Sequence, residues 1–286
     1  MTTTIRSVSD VPVPLPQTSQ TRIGPSISTV TSPKRLARIA GVLYLFVGIT
    51  GGFAEGFVEP KVYVAGDAAA TAAAVVANAG LVRLGVVSDL LDQTLFVFLA
   101  LTLYVLLQHV RQSVARTMVV LVALAAGISS LTALFEFAGL RVATGAVDMA
   151  ALGIAGSNAV VLLLLDTQHH GLLIAQIFFG LWLGPLGYLA YKSGMFPKAL
   201  GAVLIVGGIC YLVDLLAAFL LPAFSQQFHG FIVIPCAIAE IWMVLYVLVW
   251  GLRTVKPMGR AALPRCEGDR TATPERYQNR QPSDRW

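Results

Sequence analysis

Residues 84–108 read LGVVSDLLDQTLFVFLALTLYVLLQ, and this stretch decides the class of the fold. A transmembrane helix needs about 20 predominantly apolar residues to cross about 30 Å of hydrocarbon. The stretch exceeds that length, and its only charged side chains are Asp89 and Asp92. It therefore predicts a membrane-spanning helix that carries two carboxylates.

The same kind of apolar stretch recurs along the chain. We place six spanning helices at residues 36–57, 84–108, 117–140, 168–191, 199–221 and 230–252. The composition agrees, because AVILMFWYC residues make up 56% of the 286 residues and DEKR residues only 12%. A soluble globule of this size needs a more highly charged surface. The sequence thus predicts an all-α, polytopic transmembrane bundle and excludes a soluble globular domain.

Two polar segments flank the apolar region. Residues 1–33 are rich in Thr, Ser and Pro and are expected to form a disordered leader, whereas 34–252 form the transmembrane domain. Residues 253–286 carry eight Lys and Arg residues and are expected to form a disordered basic tail. Basic segments next to a membrane attract anionic lipid headgroups. We therefore assign the net charge of +5 to membrane contact and predict no nucleic-acid partner.

The distribution of basic residues predicts the topology. If the N-terminus lies in the cytoplasm, all of the 20 Lys and Arg residues except Lys61, Arg83 and Arg141 fall on the cytoplasmic side. Cytoplasmic loops of membrane proteins are enriched in Lys and Arg, which is the positive-inside rule. Both termini are therefore predicted to be cytoplasmic.

Two outer loops contain additional apolar segments that are too short to span. Residues 67–80 are expected to form a short helix with Asp67 as its N-cap and Gly80 at its end. Residues 157–166 are expected to form another, with Ser157 as N-cap. Both are interpreted as interfacial or re-entrant helices. The alternative for the second is one long helix with 168–191, bent near Gly171.

Ionisable residues within the spans indicate where a site lies. Each costs about 2.5–3.5 kcal/mol at the centre of the bilayer, so such residues usually face the bundle interior or a water-filled cavity. In the predicted topology nearly all of them fall in the outer half of the bilayer, with Glu240 near the middle. We expect an outward-facing polar cavity with these relay candidates: Asp89, Asp92, Glu136, Gln176, Asp214 and Glu240.

Helical spacing and nearby polar groups add to this expectation. Asp89, Asp92 and Gln93 share one helix face, and Ser129, Thr132 and Glu136 share another. Arg83 and Arg141 are expected at the outer rim as counter-charges. The candidate metal ligands are Asp166, His169, His170 and His229.

Three functional interpretations remain open. In the first, the carboxylates bind and relay a cation, a proton or a small solute. In the second, the Asp166, His169 and His170 cluster holds a transition metal such as zinc, which would activate water in a membrane hydrolase. In the third, the polar residues only form interhelical hydrogen bonds in a structural or partner subunit that has no site of its own.

Small residues predict close helix packing. Gly48 and Gly52 form one GxxxG pair, and Gly180 and Gly184 form another. Such pairs let two helix backbones approach closely, either within one chain or in a homo-oligomer.

Several stretches resemble a known family. They are RLARIAGVLY at 35–44, GDAAAT at 66–71, RLG at 83–85, GLLIAQIFFGLWLGPLGY at 171–188 and YKSG at 191–194. Together they resemble the bacterial membrane family catalogued as domain of unknown function 4386, over about 35–252. The resemblance implies a multi-pass protein of the bacterial inner membrane. It implies no established activity, so no catalytic role is carried over to any residue.

Overall fold

The computed structural model describes residues 32–250. The predicted basic tail lies outside the described residues, and so does nearly all of the predicted leader. Within 32–250 every regular element is helical. These elements are α1 (Pro33–Phe53), a π-helical turn (Ala54–Val58), α2 (Glu59–Val62), α3 (Ala68–Ala77), α4 (Ala79–Leu107), α5 (Gln112–Ala143), a 3-10 turn (Ala150–Leu152), α6 (Gly153–Ser193), α7 (Lys198–Leu220), α8 (Pro222–Leu245) and a second π-helical turn (Tyr246–Trp250).

The described residues contain six helical segments long and apolar enough to cross a membrane. They are Lys34–Val62, Ala79–Leu107, Gln112–Ala143, Ala150–Ser193, Lys198–Leu220 and Gln227–Trp250. Each overlaps one of the predicted spans, so the prediction of six spanning helices is confirmed. The chain is a multi-pass membrane protein. Most of its spanning helices begin earlier or end later than predicted.

The spanning helices form a closed ring. Helix α1 packs on α4, and each later spanning helix packs on the next one along the chain. The ring closes because α8 and the turn 246–250 return to α1. Short connections favour antiparallel neighbours of this kind. One face of each spanning helix therefore points toward a common interior.

The ring has two packed regions. Near the middle, Trp182 is 1% exposed and contacts Phe96 edge-to-face, with ring centroids 5.0 Å apart. Here we call the end where residues 62, 79, 143 and 153 lie the distal end. A second apolar core there includes Val58, Val75 and Leu165.

The first short outer helix is confirmed, although its predicted end is wrong. The backbone N–H of Ala70 donates to Asp67 Oδ1 at 2.9 Å, so Asp67 is the N-cap of α3. The helix ends at Asn78, whose side chain donates to the carbonyl of Ala74. Gly80 instead lies inside α4. Glycine is tolerated within a helix interior, and here the asparagine provides the break.

The second short outer helix is wrong as predicted. Residues 157–166 belong to α6, which runs without interruption from Gly153 to Ser193. Ser157 is therefore an interior residue and not an N-cap. The alternative of one long helix is confirmed, because α6 includes both segments, and its bend near Gly171 stays a prediction.

Close packing of α6 on α7 depends on a different glycine pair from the one predicted. A Cβ added at Gly187 would lie 2.6 Å from the carbonyl oxygen of Gly201. A Cβ added at Gly208 would lie 2.6 Å from the carbonyl oxygen of Gly180. By contrast, a Cβ at Gly184 meets nothing within 4 Å. A Cβ at Gly48 or Gly52 also meets nothing within 4 Å. In the described part of the chain, the predicted GxxxG pair of α1 therefore packs against no other helix.

Candidate functional site

Six carboxylates from four segments of the ring come together at the distal end and in the adjacent part of the bundle. We call Glu55, Glu59, Asp89, Asp92, Glu136 and Glu240 the carboxylate cluster. Glu55 lies within Coulombic range of four others, namely Glu59, Asp89, Asp92 and Glu240. Glu136 is in turn within range of Asp89 and Glu59. The structure thus brings together four of the predicted relay candidates, namely Asp89, Asp92, Glu136 and Glu240.

The carboxylates on α4 are held by neutral donors. Gln93 Nε2 donates to Asp89 Oδ1 at 3.1 Å and to Asp92 Oδ2 at 3.0 Å. Thr50 Oγ1, on α1, donates to Asp92 Oδ1 at 2.9 Å. A Cβ at Gly51 would lie 3.3 Å from that same oxygen, so the glycine lets α1 approach the carboxylate closely. The predicted shared face of Asp89, Asp92 and Gln93 is confirmed.

Burial increases from one side of the cluster to the other. Asp89 is 5% exposed, Asp92 6% and Glu136 9%. Glu55, in the π-helical turn, is exposed, and Glu59 is partly exposed. Within the cluster, Glu55 and Glu59 are thus less covered by the rest of the protein than the carboxylates on α4 and α5. Turns of this type are frequent at functional sites in helices.

Among residues 32–250 the carboxylate cluster has no lysine or arginine ion-pair partner, and its basic neighbour is His169, beside Glu59. The close contacts between acidic and basic side chains among residues 32–250 all involve histidine, which is charged only when protonated. They join Glu59 to His169, Asp166 to His170 and Asp214 to His229. Arg83 and Arg141, the predicted rim counter-charges, are exposed and form no ion pair with a carboxylate in this part of the chain. The structure therefore does not bring the two arginines onto the acids.

Asp214 belongs to a separate polar group. Its side chain is only 1% exposed and accepts a hydrogen bond from Gln176 Nε2 at 3.1 Å. His229 Nδ1 lies 2.9 Å from Asp214 Oδ1. Three of the predicted site residues are thus joined here, between α6, α7 and α8. Tyr211, also on α7, instead donates a hydrogen bond to Glu240 of the carboxylate cluster, with the two oxygens 3.5 Å apart.

A third group joins the end of the first span to α6, and we call it the distal clasp. The hydroxyl of Tyr63 donates a hydrogen bond to Asp166 Oδ1 at 2.6 Å. His169 Nδ1 lies 2.6 Å from Glu59 Oε1, and its ring stacks on that of Tyr63 with centroids 5.1 Å apart. His170 Nδ1 donates to the backbone carbonyl of Asp166 at 2.8 Å.

The predicted metal centre is not assembled. His229 pairs with Asp214 and not with Asp166, His169 or His170. Among residues 32–250, no three His, Cys, Asp or Glu side chains are grouped so that they could hold a metal ion. His169 and His170 each face a different carboxylate, because neighbouring helix positions project about 100° apart.

The clasp yields a prediction on alkaline stability. Burial first, and then the hydrogen bond to Asp166, raises the pKa of the Tyr63 hydroxyl well above its ordinary value of 10.0. The folded protein therefore favours the neutral phenol. The stability that the neutral hydroxyl contributes is fully present below the pKa of Tyr63 in the unfolded chain, and it is lost as the pH rises through the higher pKa of Tyr63 in the folded protein. We expect Tyr63→Phe to lower stability by about 1 kcal/mol near neutral pH, because one partly exposed hydrogen bond is removed.

The measurement for Tyr63→Phe is detergent unfolding at neutral and alkaline pH, followed by circular dichroism. The difference between wild type and variant should shrink as the pH rises above 10.0, the ordinary tyrosine value. Thr94→Val, which removes a hydroxyl bonded only to its own helix, is the control. A wild-type advantage that stays constant across this range would contradict the role of the phenol.

Comparison with known proteins identifies the family. The model of the family described as Domain of unknown function (DUF4386) matches residues 39–251. The chain belongs to the DUF4386 family. The match runs from α1 to the turn after α8, so the DUF4386 region contains all three polar groups described above.

A short segment of the chain is also similar to a curated protein. An uncharacterized protein of Archaeoglobus fulgidus is 46% identical over 46 residues, which are 16% of this chain and 28% of that protein. The similarity therefore covers less than a third of that relative's length. No solved structure matches the chain.

Sequence reasoning missed several members of the DUF4386 site. Glu59 and Tyr63 lie beyond the predicted end of helix 1 at residue 57, and Glu55 lies within that helix but is not among the predicted site residues. The first span in fact continues through a π-helical turn to Val62. The spacing of Glu55 and Glu59, four residues apart, was the available signal, since it places both acids on one side of a continued helix.

Proposed function

We propose that the protein binds and moves a small cation, which includes the proton, through the carboxylate cluster. The observation that carries the proposal is the convergence of six carboxylates without an arginine or lysine ion pair among residues 32–250. Like charges placed together in a poorly solvated interior repel one another, so bound protons or another cation must offset them. A purely structural cluster has no need for this excess of acids.

The gradient of burial supports a path for the cation. The cation would first meet Glu55 and Glu59, which the protein covers least, and then Asp92 and Asp89, which are buried. The distal clasp covers this entrance from the α6 side, since Glu59 is bonded to His169. Ionisable residues inside membrane proteins commonly form such ion pathways and proton relays.

The orientation is part of the proposal. We place both termini in the cytoplasm and the distal end outside, because this arrangement puts nearly all Lys and Arg residues on the inner side. The membrane would be the cytoplasmic membrane of a bacterium, with the basic tail against anionic headgroups. The cluster would then open outward. Reporter fusions after His109 and Lys192 should report cytoplasm, and a fusion within 145–155 should report the outside.

The test uses purified protein in vesicles that enclose a pH-sensitive dye. Gradients of Na⁺, K⁺ or ethidium are imposed, and movement of protons in exchange is recorded as a change in dye fluorescence. We expect a protein-dependent signal with at least one of these cations. Asp92→Asn and Glu55→Gln should lower its rate by about tenfold or more, because each removes a negative charge from the cation's path.

Asp148→Asn is the matched control, since Asp148 is an exposed carboxylate in the loop before α6 and lies outside the cluster. It should retain the wild-type rate. If Asp92→Asn and Glu55→Gln lower only thermal stability and leave cation exchange equal to that of Asp148→Asn, the cluster is structural and the proposal fails.

A further inference from the structure

A groove between α5 and α6 is separate from the carboxylate cluster. It is open to the outside of the ring and has a volume of about 390 Å³. Much of its lining is accessible from the membrane side, since Leu131 is 58% exposed and Ile174 47%. Its walls are mainly apolar, with Ile128, Leu131, Phe135 and Ile174 among them.

The polar groups of the groove lie at one end. Helices α5 and α6 are antiparallel, as shown by the close approach of Gly139 to Leu165 and of Gly171 to Thr132. Phe135 is therefore level with Asp166 and Thr167, whereas Ile128 is level with Ile174. The end formed by Asp166, Thr167 and His170 is polar, and the opposite end is apolar.

The polar and apolar ends of the groove match the headgroup and hydrocarbon levels of a bilayer. Lys192, in the last turn of α6, marks the membrane boundary at the end opposite the distal end. Hydrocarbon about 30 Å thick, at 1.5 Å per residue, then ends about 20 residues earlier, close to Ile174. Asp166 and His170 consequently lie at the level of headgroups on the distal side. The apolar end of the groove, level with Ile174, lies at the edge of the hydrocarbon.

The polar end presents acceptors to a ligand. A backbone carbonyl can only accept, so His170 Nδ1 carries the hydrogen in its 2.8 Å bond to the Asp166 carbonyl. In the neutral ring the other nitrogen is then an acceptor. Asp166 Oδ1 accepts from Tyr63. Asp166 Oδ2 lies 3.4 Å from His170 Nδ1, whose hydrogen is directed at the backbone carbonyl, so this oxygen can accept from another donor. The hydroxyl of Thr167 donates to the carbonyl of Leu163.

We propose that the α5–α6 groove binds one phosphatidylethanolamine molecule, with an acyl chain along the apolar walls and the ammonium group on Asp166 and His170. The primary ammonium group supplies three N–H donors and a positive charge. Both features complement a carboxylate and a ring nitrogen that accept. A glycerol headgroup lacks the positive charge, and a trimethylated choline lacks the N–H donors. The described residues that line the groove include no Lys or Arg that would favour a net anionic lipid.

The test is native mass spectrometry of the full chain, delipidated in detergent and then mixed with equal amounts of phosphatidylethanolamine, phosphatidylglycerol and phosphatidylcholine. We expect one phosphatidylethanolamine to be retained with an affinity about tenfold above those of the other two lipids. Asp166→Asn should remove this preference while a lipid of any headgroup is still retained, because the apolar walls are unchanged.

Ile174→Trp should abolish the retained lipid by filling the groove. Its matched control is Ile209→Trp, which places the same new side chain on the exposed face of α7, away from the groove. The thermal midpoint of each variant establishes that it is folded. Equal retention of phosphatidylethanolamine by both tryptophan variants would overturn the assignment of the groove. Equal affinity of the wild type for all three lipids would overturn the headgroup assignment. The proposal is independent of cation movement through the carboxylate cluster.

Discussion

Replacing Gly187 with valine is expected to destabilise the protein by about 3 kcal/mol, at the upper end of the range for overpacked interiors. The reason is the backbone contact between α6 and α7. The first atom of any side chain at Gly187 would lie 2.6 Å from the Gly201 carbonyl oxygen and 3.1 Å from the backbone nitrogen of Ile205. Backbone atoms cannot move aside as a side chain can, so the two helices must separate.

The measurement for Gly187→Val is unfolding in mixed detergent micelles, followed by circular dichroism. Gly184→Val is the matched control, because Gly184 lies on the same helix and its added Cβ meets nothing within 4 Å. The control should stay within about 0.5 kcal/mol of wild type, the usual range for substitutions away from packed features. Equal destabilisation by both variants would show that α6 and α7 do not pack through Gly187.

The second large effect is expected at Trp182. Trp182→Ala should cost about 3–5 kcal/mol, the range for truncating a buried aromatic side chain. The indole is 1% exposed and lies in the middle of the ring, against Phe96 and Tyr44. Its removal leaves a cavity bordered by α1 and α4, which the neighbouring rigid rings cannot fill.

Trp182→Phe distinguishes packing from hydrogen bonding at this site. The indole Nε1 has no hydrogen-bond partner among the described residues. Phenylalanine keeps most of the aromatic contact and removes the unpaired N–H, so its cost should be well below that of alanine. The same unfolding measurement in micelles compares the two variants. A cost for Trp182→Phe as large as that for Trp182→Ala would reveal a partner for the indole nitrogen.

Part of the site follows from local spacing. Asp89, Asp92 and Gln93 were assigned to one helix face, and the structure joins them by hydrogen bonds. Asp67 was assigned as an N-cap, and it caps α3. Both depend only on positions within one helix or its first turn, where a period of about 3.6 residues determines which side chains are neighbours.

Other features could not be read from local spacing. The GxxxG pattern favoured Gly180 with Gly184, whereas the structure uses Gly180 with Gly187. Which glycine is required depends on where α7 crosses α6, and the sequence of α6 does not contain that information. For the same reason His229 was grouped with the histidines of α6, although it pairs with Asp214 on α7.

The sequence by itself determined the class of the protein and the number of its spans. Both depend on the length of apolar stretches, because each stretch must satisfy its own backbone within the bilayer. Only the tertiary structure decided which polar residues share a site. The ring order of the helices brings Glu55 to Asp89, Asp92 and Glu240 and takes Asp214 to His229. These are interactions between distant segments, and they depend on how the helices pack against one another.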